Sequence, residues 1–173
     1  MDLQGFKKPC KEFVLKELAA VPLVESAEPT VHLFKPPFPW KKLTTKYKRK
    51  NLWLELCYHG LAWNSGDHEY TEIEKILRQT LQNATQVFVI GQVKKEWLEK
   101  FDFKVVDISE LGIPNFDQRL TKTDSSSHHN CMYKNTCAVN NVKSIQKLYF
   151  SDFSDWVMDW EDTRVNKDIE LVL

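Results

Sequence analysis

The chain has 173 residues, 42% of them apolar, a length that suits one domain whose core buries about two-thirds of the surface the unfolded chain exposes. Lysine plus arginine equals aspartate plus glutamate at 24 each, so no global field draws the protein to nucleic acid, and any electrostatic binding must come from uneven distribution. MDLQGFKKPCKEF lacks the apolar core of a signal peptide and no apolar run is long enough to span a membrane, which points to a soluble intracellular protein, cytoplasmic or nuclear, whose four cysteines are reduced or metal-bound.

Phe13 to Val21 (FVLKELAAV) is apolar except for Lys16 and Glu17, and Pro22 ends it by removing a backbone donor. Its Leu, Lys, Glu and Ala also favour a helix, but Thr30 to Lys35 (TVHLFK) alternates like a paired strand across an SAEP turn, so a buried strand is expected. A carboxylate in a buried strand needs a cation, hydrogen-bond donors or a metal; otherwise Glu17 belongs at a strand end in solvent.

Lys35 to Lys50 (KPPFPWKKLTTKYKRK) carries seven basic residues and no acidic one, with Phe38, Trp40 and Tyr47 interleaved. Cations neutralise phosphates and aromatic faces stack on unpaired bases. Trp40, Lys41, Lys42, Lys46, Tyr47, Lys48, Arg49 and Lys50 therefore form a candidate surface for a single nucleic-acid strand, the alternative being a solvated loop with its aromatics in the core.

Leu52 to Tyr58 (LWLELCY) reads as core, followed by a loop through His59-Gly60-Leu61, Trp63 and Gly66. Tyr70 to Gln82 has a helical period, capped by Thr71 with Glu74 and presenting Ile73, Ile76, Leu77 and Leu81 on one face. Gln86 to Ile90 (QVFVI) is an interior strand stopped by Gly91, Lys94 to Phe101 a second helix on Trp97, Leu98 and Phe101, and Lys104 to Ile108 another strand. Beyond Ser109 to Leu111, Gly112 and Pro114 forbid a long helix. This alternation implies an α/β fold with a mixed or parallel sheet and right-handed crossovers.

Lys122 to Asn130 is polar and loop-like. The spacing His128-x2-Cys131-x5-Cys137, or the same from His129, sets imidazole and thiolate, the ligands tetrahedral zinc prefers, ahead of a helix from Cys137 to Phe150. That helix draws its apolar face from Ala138, Val142, Ile145, Leu148 and Tyr149. Three ligands are one short of a closed structural site, and a Ser/His/Asn-rich loop with two small apolar cysteines is the competing reading. Residues 151–173 form a tail with seven acidic residues around Trp156 and Trp160, able to pack on the domain or on a protein partner.

Taken in order, Phe13 to Phe150 resembles the DEDD-type 3'-to-5' exonucleases of the RNase H-like superfamily. FVLKELAA stands where that family's first strand carries Asp-x-Glu, here Leu15 and Glu17, and TVHLFKPPFP is similar to its next strand and proline turn. His59-Gly60-Leu61 is similar to the turn before its first helix. VFVIGQVKKEWL has Gly91 and lysines where the family places its second aspartate, and CAVNNVKSI has Cys137 and Asn141 at or near the histidine and aspartate of the last helix. Two magnesium ions need several carboxylates, and most are missing, which argues against exonuclease chemistry.

In that loss the chain is similar to the Maelstrom domain, a branch of the superfamily in the germline small-RNA pathway whose Glu-Cys-His-Cys zinc set replaces the catalytic carboxylates. The resemblance implies an RNase H-like mixed sheet flanked by helices over residues 1–150. It also implies a structural zinc on Glu17, His128 (or His129), Cys131 and Cys137, with cysteine and histidine exchanged in order. Single-stranded RNA binding in a silencing or anti-silencing context would follow, with residual metal-independent ribonuclease activity as a variant. A protein-interaction module, such as a viral or mobile-element factor binding through Trp156 and Trp160, is the reading from another class.

Overall fold

The computed structural model describes residues 1–9, 12–111 and 137–150. The expectations for Lys122 to Asn130, His128, His129, Cys131 and the tail with Trp156 and Trp160 lie outside the described residues. The rest forms a mixed α/β arrangement with two small sheets. Strands β1 (Asp2–Lys7), β2 (Phe13–Ala20) and β3 (Thr30–Leu33) make an antiparallel sheet in the order β1-β2-β3. Strands β4 (Val87–Val89) and β5 (Val105–Asp107) pair in parallel. The helices are α1 (Thr45–Cys57), α2 (Ile73–Thr80), α3 (Gln92–Glu99) and α4 (Ala138–Leu148). The Met1 nitrogen donates to the Phe88 carbonyl at 2.8 Å, tying the start of β1 to β4.

Phe13 to Ala20 is thus the second strand, not the first. The first, DLQGFK, alternates only over Asp2 to Gln4, whose polar residues are buried, before the pattern breaks at Gly5, which is required where a Cβ would collide with the Val14 carbonyl. Leu3, Leu15 and Leu18 pack with Phe34, with Ile73, Ile76 and Leu77 of α2, and with Trp97 and Leu98 of α3. Phe6 and Val14 pack with Leu43 and Trp63, while Ala19 meets Ala138 and Val142 of α4.

Two further readings are corrected. Leu52 to Tyr58 is not core: it is largely the second half of α1, leaving Leu52 46%, Trp53 55% and Leu56 61% exposed. The helix is instead anchored on β1 by a polar residue, Asn51, whose amide accepts from Lys7 N–H at 2.9 Å and donates to Lys7 C=O at 2.8 Å. The cap of α2 also lies one short turn earlier than Thr71 and Glu74. The Glu69 N–H donates to Glu72 Oε2 at 2.9 Å at a 3-10 turn, Tyr70–Glu72, and Glu74 pairs with Arg78.

Every residue of β2 from Val14 to Ala20 is buried, Lys16 and Glu17 included, so the solvent position for Glu17 is excluded. The β1–β2 register shifts between Gln4 and Gly5, leaving Lys16 in a bulge with no partner on β1. Its ammonium donates to the carbonyls of Phe34 at 2.6 Å, Trp63 at 2.9 Å and Ser65. Gly66 follows with a φ of 127° against the Phe34–Lys35 backbone, a contact no side chain would permit.

Burial pushes Lys16 down to about 8, partly opposed by Glu55, which keeps it protonated at neutral pH. Lys16→Met leaves three carbonyls without this donor and is expected to cost about 2–4 kcal/mol in urea unfolding at pH 7. Because the native state releases this proton more readily than the unfolded chain, the wild-type protein gains stability relative to the variant as pH rises from about 8 towards 10.5. The difference between the two should therefore be constant below pH 8 and shift in favour of the wild type above it.

Candidate functional site

Helix α4 covers a polar layer contributed by three other elements. Cys137, fully buried, is its N-cap, and the next backbone N–H, from Ala138, donates to Glu17 Oε2 at 3.4 Å. A carboxylate at this place meets the positive end of the helix dipole and an otherwise unpaired backbone donor. The fold therefore brings Glu17 and Cys137 together, while His128, His129 and Cys131 lie outside the described residues.

Beside them Asp2 of β1 is fully buried and accepts from Gln4 Nε2 at 2.9 Å and Asn141 Nδ2 at 2.7 Å, both on Oδ2. The ammonium of Lys94, on α3, pairs with its Oδ1. Asn140, one turn beyond Cys137, is 2% exposed, and both its side-chain polar atoms are buried without a partner among the described residues. A buried thiol and a buried carboxylate thus stand at one helix terminus. Among the described residues no three His, Cys, Asp or Glu converge on one point.

Asp2, Gln4 and Lys94 carry no site signal in the sequence beyond a charged residue directly ahead of Leu3, which becomes conspicuous only when residues 2–7 are assigned to a strand. Asp107, also buried, acts locally. Its Oδ1 accepts from Gly91 N–H at 2.9 Å and from Ser109 N–H and Oγ–H at 3.0 and 2.7 Å, fixing the turn that starts α3.

The basic stretch divides in two. Trp40, in a 3-10 turn at Trp40–Lys42, and Tyr47 are half-buried against Leu43 and Trp63, with the Trp40 and Trp63 ring centroids 5.3 Å apart. These two aromatics serve the core. Lys41, Lys42, Lys46, Arg49 and Lys50 are exposed, Lys48 is half-buried, and none of the six pairs with a carboxylate among the described residues. On α1, Lys46, Arg49, Lys50 and Trp53 follow the i, i+3, i+4, i+7 spacing of one helix face. Trp53 is an exposed aromatic that the local sequence does not distinguish from core, and it stacks on Tyr58 at 5.8 Å between centroids and 26° between planes.

The first turn of α1 contains no acidic residue, and its N-cap Thr44 makes no side-chain bond. Cations crowded there oppose the helix dipole and repel one another, an arrangement that an external anion relieves. No known protein family, curated protein or solved structure matches the chain, and no helix among the described residues is long and apolar enough to cross a membrane.

Removing the cation beside Asp2 tests the polar layer. Lys94→Met should destabilise the protein by about 3 kcal/mol in urea unfolding, because it leaves a buried carboxylate without its counter-charge. Asn141→Leu should cost about 1–3 kcal/mol, and a loss well under these values in both variants would show that Asp2 is solvated.

Proposed function

We propose that the chain is a zinc-stabilised, catalytically degenerate nuclease-fold domain that binds single-stranded RNA along α1. The observation that carries the RNA reading is the face of Lys46, Arg49, Lys50 and Trp53, where cations without carboxylate partners among the described residues run beside an exposed indole. Phosphates would neutralise the cations and relieve their repulsion, and a base would stack on Trp53 without demanding a sequence. Lys41 and Lys42, just upstream, extend the basic track.

An antiparallel meander followed by parallel strands and flanking helices fits the RNase H-like sheet that the resemblance implies. Glu17 and Cys137, with Cys131 and His128 or His129, would hold a zinc whose contribution is a cross-link between β2 and the start of α4. Degeneracy is supported by Asp2: two-metal hydrolysis needs carboxylates open to cations, whereas this one is occupied by the Lys94 ammonium and two amides. A second reading, a protein-binding module, draws on the exposed Leu52, Trp53 and Leu56, apolar side chains rimmed by charge.

Anisotropy titration of a labelled single-stranded RNA across a salt series tests the reading. Binding should weaken steeply with salt, and the combined Lys46→Ala, Arg49→Ala and Lys50→Ala variant should lower the log–log slope by about 2. Trp53→Ala should cost about 1–3 kcal/mol of affinity with the slope unchanged, whereas Trp40→Ala should act on folding. Absence of binding at low salt would overturn the proposal, and capture of a protein partner that depends on Leu52 and Leu56 would favour the second reading.

A further inference from the structure

Two histidines that RNA binding and the zinc set leave unused face each other on the opposite side of β2 from β1. His32 lies on β3, whose backbone pairs with Leu18 of β2. His68 is held alongside by a parallel bridge between Phe34 and His68. There Lys35 N–H donates to the His68 carbonyl at 2.8 Å and His68 N–H donates to the Leu33 carbonyl at 3.0 Å. The backbone thus brings the two residues alongside each other, and His32 Nδ1 stands 3.2 Å from His68 Nε2, within hydrogen-bonding distance.

Two ring nitrogens bound to one tetrahedral ion at about 2.0–2.1 Å lie about 3.3 Å from each other, so the two nitrogens already have the separation of a metal clamp that would replace the proton they share. The second nitrogen of His32, Nε2, lies 3.4 Å from Thr80 Oγ1 at the end of α2. With Nε2–H donating to that hydroxyl, Nδ1 presents its lone pair to His68, which is the orientation an outer hydrogen bond imposes on a ligating imidazole. Burial first, and the neighbouring His68 second, hold His32 below its usual titration range, so it stands neutral, the form that coordinates.

We propose that His32 and His68 form a bidentate site for a first-row divalent transition metal of the zinc, nickel and copper class, oriented through Thr80. The site shares no residue with Glu17 and Cys137, so it would be loaded independently of them. Imidazole suits these ions, and two protein ligands leave positions open for exchangeable water, so binding here is reversible rather than part of folding.

Calorimetric titration of Ni²⁺ into tag-free protein, with its native metal left in place, tests this. One Ni²⁺ per chain is expected, with affinity falling at least about tenfold in His32→Gln and in His68→Asn, and about 10–100-fold in Thr80→Val. Circular dichroism confirms that each variant is folded, and His68→Asn, on a connecting segment, serves if His32→Gln is not. No uptake by the wild-type protein, or unchanged affinity and stoichiometry in the folded histidine variants, would overturn the proposal.

Discussion

The structure depends on the burial of two adjacent opposite charges in β2. Taking an ammonium and a carboxylate out of water costs several kcal/mol each, and neither Lys16 nor Glu17 is placed to neutralise the other. Each is compensated by backbone from elsewhere in the chain. Lys16 draws in the carbonyls of Phe34, Trp63 and Ser65, fixing the loop after α1 against β3, and Glu17 accepts a backbone bond from the first residue of α4. Residues distant in sequence are thereby referred to one strand. The loop set by Lys16 leads directly into His68, and the helix set by Glu17 brings Asn141 onto Asp2.

This polar organisation explains what the sequence could and could not reveal. The apolar runs bounded by Pro22 and Gly91, the paired alternation of Thr30 to Lys35, and the periodic faces of α2 and α4 are local signals, and each element forms where its pattern places it. β1 gives no such signal, because Asp2 and Gln4 are polar residues whose burial is intelligible only once Lys94 and Asn141 arrive from other elements. α1 is obscured for the converse reason: its large apolar residues Leu52, Trp53 and Leu56 face solvent and an asparagine anchors it.

The candidate sites follow the same division. Glu17 on β2 accepts from the first backbone N–H of α4, next to its N-cap Cys137, a proximity that no local pattern in either segment encodes. Which aromatics are free was not readable, since Trp40 and Trp53 differ little in local sequence and diverge only in what packs over them. A chain with no net charge thus separates its cations along an exposed helix and buries key carboxylates, Asp2 and Glu17, beneath another.

The proposed zinc would make Glu17 on β2 and Cys137 at the head of α4 two ligands of one structural site. Elemental analysis of the purified, tag-free protein tests it most directly. One zinc per chain is expected, lost in Cys137→Ser and in Glu17→Gln, with unfolding when the metal is removed by a chelator. A folded wild-type protein that carries no metal and whose thermal unfolding is indifferent to chelator would contradict it.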